Sequence, residues 1–279
     1  MERIIDYLLI FLPFIPCAGH AQINPDEMIK LSIEGNNGFY EVIWPGEIEE
    51  LPAFEFKDNE FLKKITISEG VKSIGEYAFL GCKNLEEIIL PVSLCEIGEG
   101  AFRECKSLNS LVLPDSVKKI PPYMCAWDEE LEYIKFPDDL EDIGRNAFSY
   151  CYNLKNVELP SSLSHIGPNA FSYCNSLKEI YIPDAMKELE SYAFSDCENL
   201  MKVRLAPNPD MLGELIFTGC VKLEEITCMS SEPPTFDCNS TLFDPSEIFL
   251  WKKCCLKVPE SSETLYMHAP GWCYFFHSN

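Results

Sequence analysis

The sequence predicts a repeat solenoid, with one parallel β-sheet along a strand face, a second series of short strands opposite, and short turns or helical segments joining them. Three observations lead there. Leu62, Leu85, Leu108, Leu131, Leu154, Leu177, Leu200 and Leu223 stand 23 residues apart. Six residues before each comes Phe56, Phe79, Phe102, Cys125, Phe148, Phe171, Phe194 or Phe217, so seven of eight units keep the aromatic. Three residues before each leucine comes Asn59, Cys82, Cys105, Asp128, Cys151, Cys174, Cys197 or Cys220. A fixed period without insertions means that each unit buries its apolar side only by stacking on its neighbours.

In chain order, Tyr7 to Ile15 is an apolar run too short to span a bilayer as a helix, and small residues follow it to Ala21. Residues 1–21 read as a secretion signal cut after Ala21. A buried N-terminal helix is the competing reading, opposed by Pro13 and Pro16. A solenoid exposes raw apolar ends, so residues 22–38 are expected to cap the first turn and 231–279 the last. Residues 39–230 carry the repeats, beginning with a divergent unit built on Phe39, Val42, Trp44, Pro45, Ile48 and Leu51. No Gly/Ser linker or charge block marks a further domain, which predicts one elongated, curved body.

Within a unit such as 85–107, Ile88 and Leu90 alternate as a strand with one buried face requires. Pro91 follows directly, as do Pro114, Pro137, Pro160 and Pro183; lacking an N–H, proline ends the strand and turns the chain. A second short apolar pair comes next (Leu94 and Ile97, Val117 and Ile120, Leu163 and Ile166), then Gly98, Gly144, Gly167 or Gly213. Such a glycine suits a turn with positive φ, although Pro121 and Glu190 occupy the same position in other units. The Ala-Phe pair, Ala101 and Phe102 in this unit, then drives a ring into the core from the opposite side.

The pattern L-x-x-I-x-[IL]-P-x-[SD]-[LV]-x-x-I-G-x-x-A-F-x-x-C resembles the BspA-like leucine-rich repeats, also described from Treponema, of surface and secreted proteins of Bacteroidetes and some protozoa. The resemblance covers about residues 39–230. The tail, Leu256 to Ser262 followed by Tyr266 and Ala269 to Trp272, resembles the C-terminal cap of Bacteroidetes members. The fourth unit departs from the pattern, with Met124, Cys125, Ala126, Trp127 and Asp128, and is expected to be the least regular, with Trp127 partly exposed. The seventh has Ile216 in place of alanine. The resemblance implies adhesion, to host matrix proteins or to other bacteria.

The formal net charge of −23 makes nucleic acid and anionic membrane surfaces poor partners, because like charges repel and no counterions are released. It also suits a soluble extracellular protein. Of the 14 cysteines, the six in the repeat register would lie side by side with parallel Cβ directions. That arrangement disfavours disulfide geometry and points to a ladder of buried thiols. The cap gathers Cys228, Cys238, Cys254, Cys255, Cys273, His268 and His277, for which disulfides, free thiols and a metal all stay open, although the spacing matches no zinc knuckle. Asn239-Ser240-Thr241 fits a glycosylation acceptor in a eukaryotic host.

Catalytic motifs are absent: there is no H-E-x-x-H, G-x-S-x-G, phosphate loop or C-x-x-C, and the carboxylates are spread over every unit. His165 reads as an ordinary surface residue. No enzyme, cofactor or metal is expected. What is left is the strand face, whose outward residues flank the buried ones. Eight strands ~4.8 Å apart make a face on the order of 40 Å long. Its candidate binding residues are Ile89, Val112, Tyr133, Lys135, Glu158, Tyr181 and Arg204. The expected function is non-catalytic recognition of a protein at the cell surface or after secretion. A glycan stacked on Tyr133 and Tyr181 is the alternative, and a periplasmic structural role without an external ligand is the third.

Overall fold

The computed structural model describes residues 32–33, 40–207, 211–236, 241–244 and 246–276. The expected leader and most of 22–38 lie outside the described residues, as do Phe39, Cys238, Asn239, Ser240 and His277.

The described chain coils into a parallel β-solenoid whose turns have three sides. The front side carries Tyr40–Trp44, Leu62–Ile67, Glu87–Ile89, Ser110–Val112, Tyr133–Lys135, Glu179–Tyr181, Lys202–Leu205 and Glu225–Cys228. The back side carries Glu50–Leu51, Ser73–Ile74, Glu96–Ile97, Lys119–Ile120, Asp142–Ile143, His165–Ile166, Glu188–Leu189 and Met211–Leu212. Registered pairs such as Ile65↔Ile88 and Ile180↔Val203 set equivalent residues beside each other. Strand alternation then places Ile88, Leu111, Ile134 and Ile180 inside, each between two outward residues.

The third side consists of turns rather than the helical segments allowed for in the sequence reading. Backbone hydrogen bonds join these turns from one unit to the next: the Phe79, Phe102, Cys125, Phe148 and Phe171 N–H groups donate to the carbonyls of Ala101, Met124, Ala147, Ala170 and Ala193 at 2.8–2.9 Å. Two residues per turn are left-handed there. One column includes Tyr77, Tyr123, Asn146, Asn169 and Tyr192, and the other Glu104, Trp127, Tyr150, Tyr173 and Asp196, with φ between 52° and 63° in all but Trp127 at 65°. Each costs about 1–2 kcal/mol for an L-residue, offset by the turn-to-turn hydrogen bonds and by the rings buried beneath.

The glycine expected to supply positive φ does something else. Gly98, Gly144, Gly167 and Gly213 are not among the positive-φ residues. They sit where adjacent turns touch: a Cβ on Gly98 would lie 2.4 Å from the Glu76 backbone nitrogen. Close approach of two backbones is the constraint.

Beneath the turns the phenylalanines stack. Ring centroids lie 5.3 Å apart for Phe56/Phe79, 5.6 Å for Phe79/Phe102, and 5.2 Å for both Phe148/Phe171 and Phe171/Phe194. Burying each ring stabilises by roughly 1.5–3 kcal/mol. At the fourth unit Cys125 interrupts the stack, and Phe136, which stands where other units have Leu113 or Leu159, turns edge-on to Phe148 at 5.6 Å and fills the space. Met124, Cys125 and Ala126 are fully buried, and the turn ladder runs through this unit unbroken. The fourth unit is therefore more regular on the turn side than expected. Half-buried Trp127 stacks on Tyr150 at 4.8 Å.

The irregularity lies in the strand faces, which are interrupted. The front ladder is one run through Glu87–Ile89, a pair of Ser110–Val112 with Tyr133–Lys135, and a third run from Glu179–Tyr181 onward. Between the last two, Asn156 makes only an isolated bridge to Tyr133.

The six in-register cysteines form the expected thiol ladder. All are fully buried and free, and each Sγ–H donates to the carbonyl 26 residues earlier, as from Cys105 to Phe79 (3.2 Å) and from Cys220 to Phe194 (3.1 Å). Burial pushes the Cys82 thiol up to about 12 and Cys105, Cys151, Cys174 and Cys220 well above the usual range, so these sulfurs stay protonated and inert.

At the start, Ser32–Ile33 pairs antiparallel with Tyr40 and Glu41. At the other end, Cys255–Lys257 adds a parallel strand to Glu225–Cys228. Two short helices flank this strand in the chain, Ile248–Lys253 before it and Glu263–His268 after it. Tyr266 and Trp272 are fully buried over the last turn, and Trp272 Nε1 donates to the Pro234 carbonyl at 2.8 Å.

Candidate functional site

All seven residues expected to form the binding face point outward from the front side and are exposed. Register brings Val112 beside Lys135 and Tyr181 beside Arg204. Ile89 and Val112 are 42% and 55% exposed on successive turns. Tyr133 lies in the neighbouring column, two residues before Lys135, and Glu158 follows Lys135 one turn on. Tyr133 and Tyr181 are thus two turns apart in different columns and do not share one platform.

One residue escaped the sequence reading. Ile43 pairs with Thr66, and Thr66 with Ile89, so an outward column runs Ile43, half-buried Thr66 and Ile89, with Val112 in the same position one turn further on and Ile43 40% exposed. Its signal was alternation within the first divergent unit, where buried Val42 and Trp44 leave Ile43 facing out.

Charges along the front side pair with one another, one pair beside this column and three on later turns. Lys64 meets Glu87 at 2.8 Å, Lys155 meets Glu132 at 2.7 Å, Arg204 meets Asp184 at 3.1 Å and Lys257 meets Glu225 at 2.6 Å. The Tyr181 hydroxyl donates to Glu179 at 3.2 Å, and that carboxylate raises its pKa. Such exposed pairs contribute little stability. What distinguishes the column of Ile43, Ile89 and Val112 is its exposed apolar area.

A second aromatic array lies on the turn side, built by the left-handed column: Trp127, Tyr150 and Tyr173 stack with centroids 4.8 and 4.5 Å apart. Arg103 covers the outer face of Trp127 at 4.9 Å, and Asp196 stands by Tyr173, raising its pKa. Trp127 lies between Arg103 and Tyr150, and Tyr150 between Trp127 and Tyr173, so the stack braces successive turns.

His165 is not the solvated residue expected. Its Nδ1 lies 3.0 Å from Asp142 Oδ1 and its Nε2 2.7 Å from Glu190 Oε1, so the imidazole bridges three consecutive turns of the back side. Hydrogen bonding to Asp142, with a further contribution from Glu190, raises its pKa to about 9. An imidazolium holding both protons at neutral pH is a poor general base, and no nucleophile stands against it.

In the cap, Cys228 and Cys254 are buried free thiols, Cys255 is an exposed one and Cys273 a half-buried one. Tyr266 Oη donates to Cys228 Sγ at 3.2 Å, and His268 Nδ1 lies 2.8 Å from the Thr264 carbonyl. Among the described residues no group of histidine, cysteine and carboxylate side chains converges as a metal site. Among them, too, no helix is long and apolar enough to cross a membrane.

Comparison with known proteins agrees with this geometry. A family model, the BspA type leucine rich repeat region, matches residues 49–126 and 118–233 in six copies. A leucine rich cell surface protein of Faecalibacterium prausnitzii is similar in structure, with 25% identity and a TM-score of 0.51, over 68% of this chain and 61% of that one. This chain thus spans less than two thirds of that protein. A leucine-rich repeat protein of T. pallidum has 26% identity and a TM-score of 0.48 over 72% of this chain and 91% of its own. One from Bacteroides ovatus has 22% and 0.48 over 87% and 77%. No curated protein matches the sequence. With the family model covering most of the solenoid and the repeat geometry in register with it, the chain belongs to the BspA-type leucine-rich repeat family.

Proposed function

We propose that this protein is a non-catalytic recognition protein, secreted or held at the cell surface, whose front face docks another protein. The observation that carries the reading is the outward column in which Ile43, Ile89 and Val112 are exposed, with half-buried Thr66 between the first two and the Lys64–Glu87 ion pair beside it. Apolar side chains left in water on a regular sheet gain from a partner that covers them, at roughly 25 cal/mol per Å². Tyr133, Lys135, Glu158, Tyr181 and Arg204 extend the surface and supply the aromatic and arginine chemistry common in interface anchors. The cell surface protein among the similar structures supports the location, and adhesion to host matrix proteins is the specific form of the proposal.

Purified residues 22–279 would be screened against immobilised matrix proteins and a glycan array, with Ile89→Glu/Val112→Glu beside the wild type. Saturable binding to a matrix protein, abolished in the double variant while its melting temperature stays put, is the expected result. Binding confined to glycans, or unaffected by the double variant, would overturn it.

A further inference from the structure

The two strand faces are not interrupted independently. The front ladder ends at Glu87–Ile89 and restarts at Ser110–Val112; the back ladder ends at Glu96–Ile97 and restarts at Lys119–Ile120. Both breaks fall between the same two turns, 85–107 and 108–130. At the other front interruption, beside Asn156, the back ladder is continuous through Asp142, His165 and Glu188, and His165 bridges it with two carboxylates.

The sequence explains the back break. In the other turns the residue after the back strand donates its N–H to the preceding turn: Gly75 to Leu51, Gly98 to Ile74, Gly144 to Ile120, Gly167 to Ile143, Glu190 to Ile166 and Gly213 to Leu189, at 2.7–2.9 Å. Pro121 occupies that position in the 108–130 turn and has no N–H to give to Ile97.

The turn side is tied across the same seam. Gly100, Phe102 and Glu104 donate to the carbonyls of Pro122, Met124 and Ala126 at 2.9–3.0 Å. The Cys105 N–H donates to Asp128 Oδ1 at 2.8 Å, Lys106 pairs with Glu129 at 2.5 Å, and Arg103 lies over Trp127 and Tyr123. Away from this side, Ser116 Oγ donating to the Val92 carbonyl at 3.1 Å is a lone polar tie. The phenylalanine stack also stops here, since Phe102 faces Cys125.

We propose that the solenoid flexes at this seam, with the turn side as the pivot and the two strand faces as the parts that open. Backbone hydrogen bonds and packing resist opening elsewhere, and the weakest section of a linear array yields first. Ile89 and Val112 lie on opposite lips of the seam, so the spacing of the apolar pair varies with the flexure. A partner that spans both residues selects one setting of the hinge. The flexure itself stands without the recognition reading, because it needs no ligand.

The test is a distance distribution by pulsed electron spin resonance on the full chain, with Cys17, Cys95, Cys238, Cys255 and Cys273 replaced by serine. Spin labels on Glu96→Cys and Glu188→Cys span four turns across the seam, and labels on Lys119→Cys and Met211→Cys span four turns without it, each pair ~19 Å apart at about 4.8 Å per strand. The expected result is a broader distribution for the first pair, narrowing when Pro121→Ala restores an N–H toward Ile97. Equal widths for the two pairs overturn the hinge. A broad first pair unchanged by Pro121→Ala overturns the missing donor as its cause.

Discussion

The His165 bridge makes the stability of the solenoid depend on pH in a direction that differs from ordinary acid unfolding. The imidazole, with a pKa of about 9 in the folded chain and 6.5 as its ordinary value, gains a proton on folding anywhere between those limits. Its contribution is therefore complete below pH 6.5 and fades as pH rises to about 9. A shift of that size corresponds to at most about 3.4 kcal/mol at ~1.4 kcal/mol per unit. The side chain is 27% exposed, and Asp142 and Glu190 are 33% and 36% exposed, so solvent and salt screen the bridge. Taking roughly half leaves ~1.5 kcal/mol. Urea unfolding of the wild type at pH 6.5, 7.5, 8.5 and 9.5 is expected to show this loss, and His165→Gln to lack it while being less stable at pH 6.5 by about the same ~1.5 kcal/mol. An NMR titration of the imidazole Cε1 proton reads the pKa directly. A midpoint below 7, or parallel pH profiles for the two proteins, would refute the reasoning.

Phe171→Ala removes a fully buried ring stacked on Phe148 and Phe194, and should lower the unfolding free energy by about 3–5 kcal/mol in the same assay; a loss under ~1 kcal/mol would mean the stack closes over the gap. Burial holds the Asp128 carboxyl well above its ordinary pKa of 3.8 and leaves its Oδ2 without a hydrogen-bond partner, so the unfolded chain releases a proton that the folded chain keeps. Stability should fall as pH rises above the usual carboxylate range, and Asp128→Cys, which restores the thiol of the other turns, should raise neutral-pH stability and flatten that slope; a less stable variant at pH 7 would count against it. A thiol reagent at pH 8 should label exposed Cys95 and Cys255 in the native protein and reach the ladder cysteines only in denaturant, and rapid native labelling of Cys151 or Cys174 would contradict the buried ladder.

The 23-residue register was enough to name the fold, the inward leucines, phenylalanines and thiols, and the outward residues of the front face. A linear array forces equivalent positions into equivalent environments, so period and alternation together leave few choices. Ile43 was legible by the same rule and was obscured by the divergence of its unit. The reading failed where a residue's role depends on the adjacent turn. Gly98 was assigned a dihedral role because its own turn suggested one, whereas the backbone of Glu76 pressing on it is the reason. The left-handed positions hold glycine, asparagine or aspartate in some turns (Gly81, Gly100, Asn146, Asn169, Asp196) but tyrosine, glutamate or tryptophan in others, types that carry no positive-φ signal of their own.

What the sequence by itself determined is the stack: its period, its two strand series, its buried rows and its acidic character. The tertiary structure alone decided how the turns are joined. It linked His165 to carboxylates on both sides, stacked Trp127, Tyr150 and Tyr173 with Arg103 over the tryptophan, and left the front and back ladders open together beside Pro121. Period and pattern specify what each turn contributes, but a hydrogen bond or ion pair between turns depends on a few tenths of an ångström in their relative placement, which only the packed stack sets.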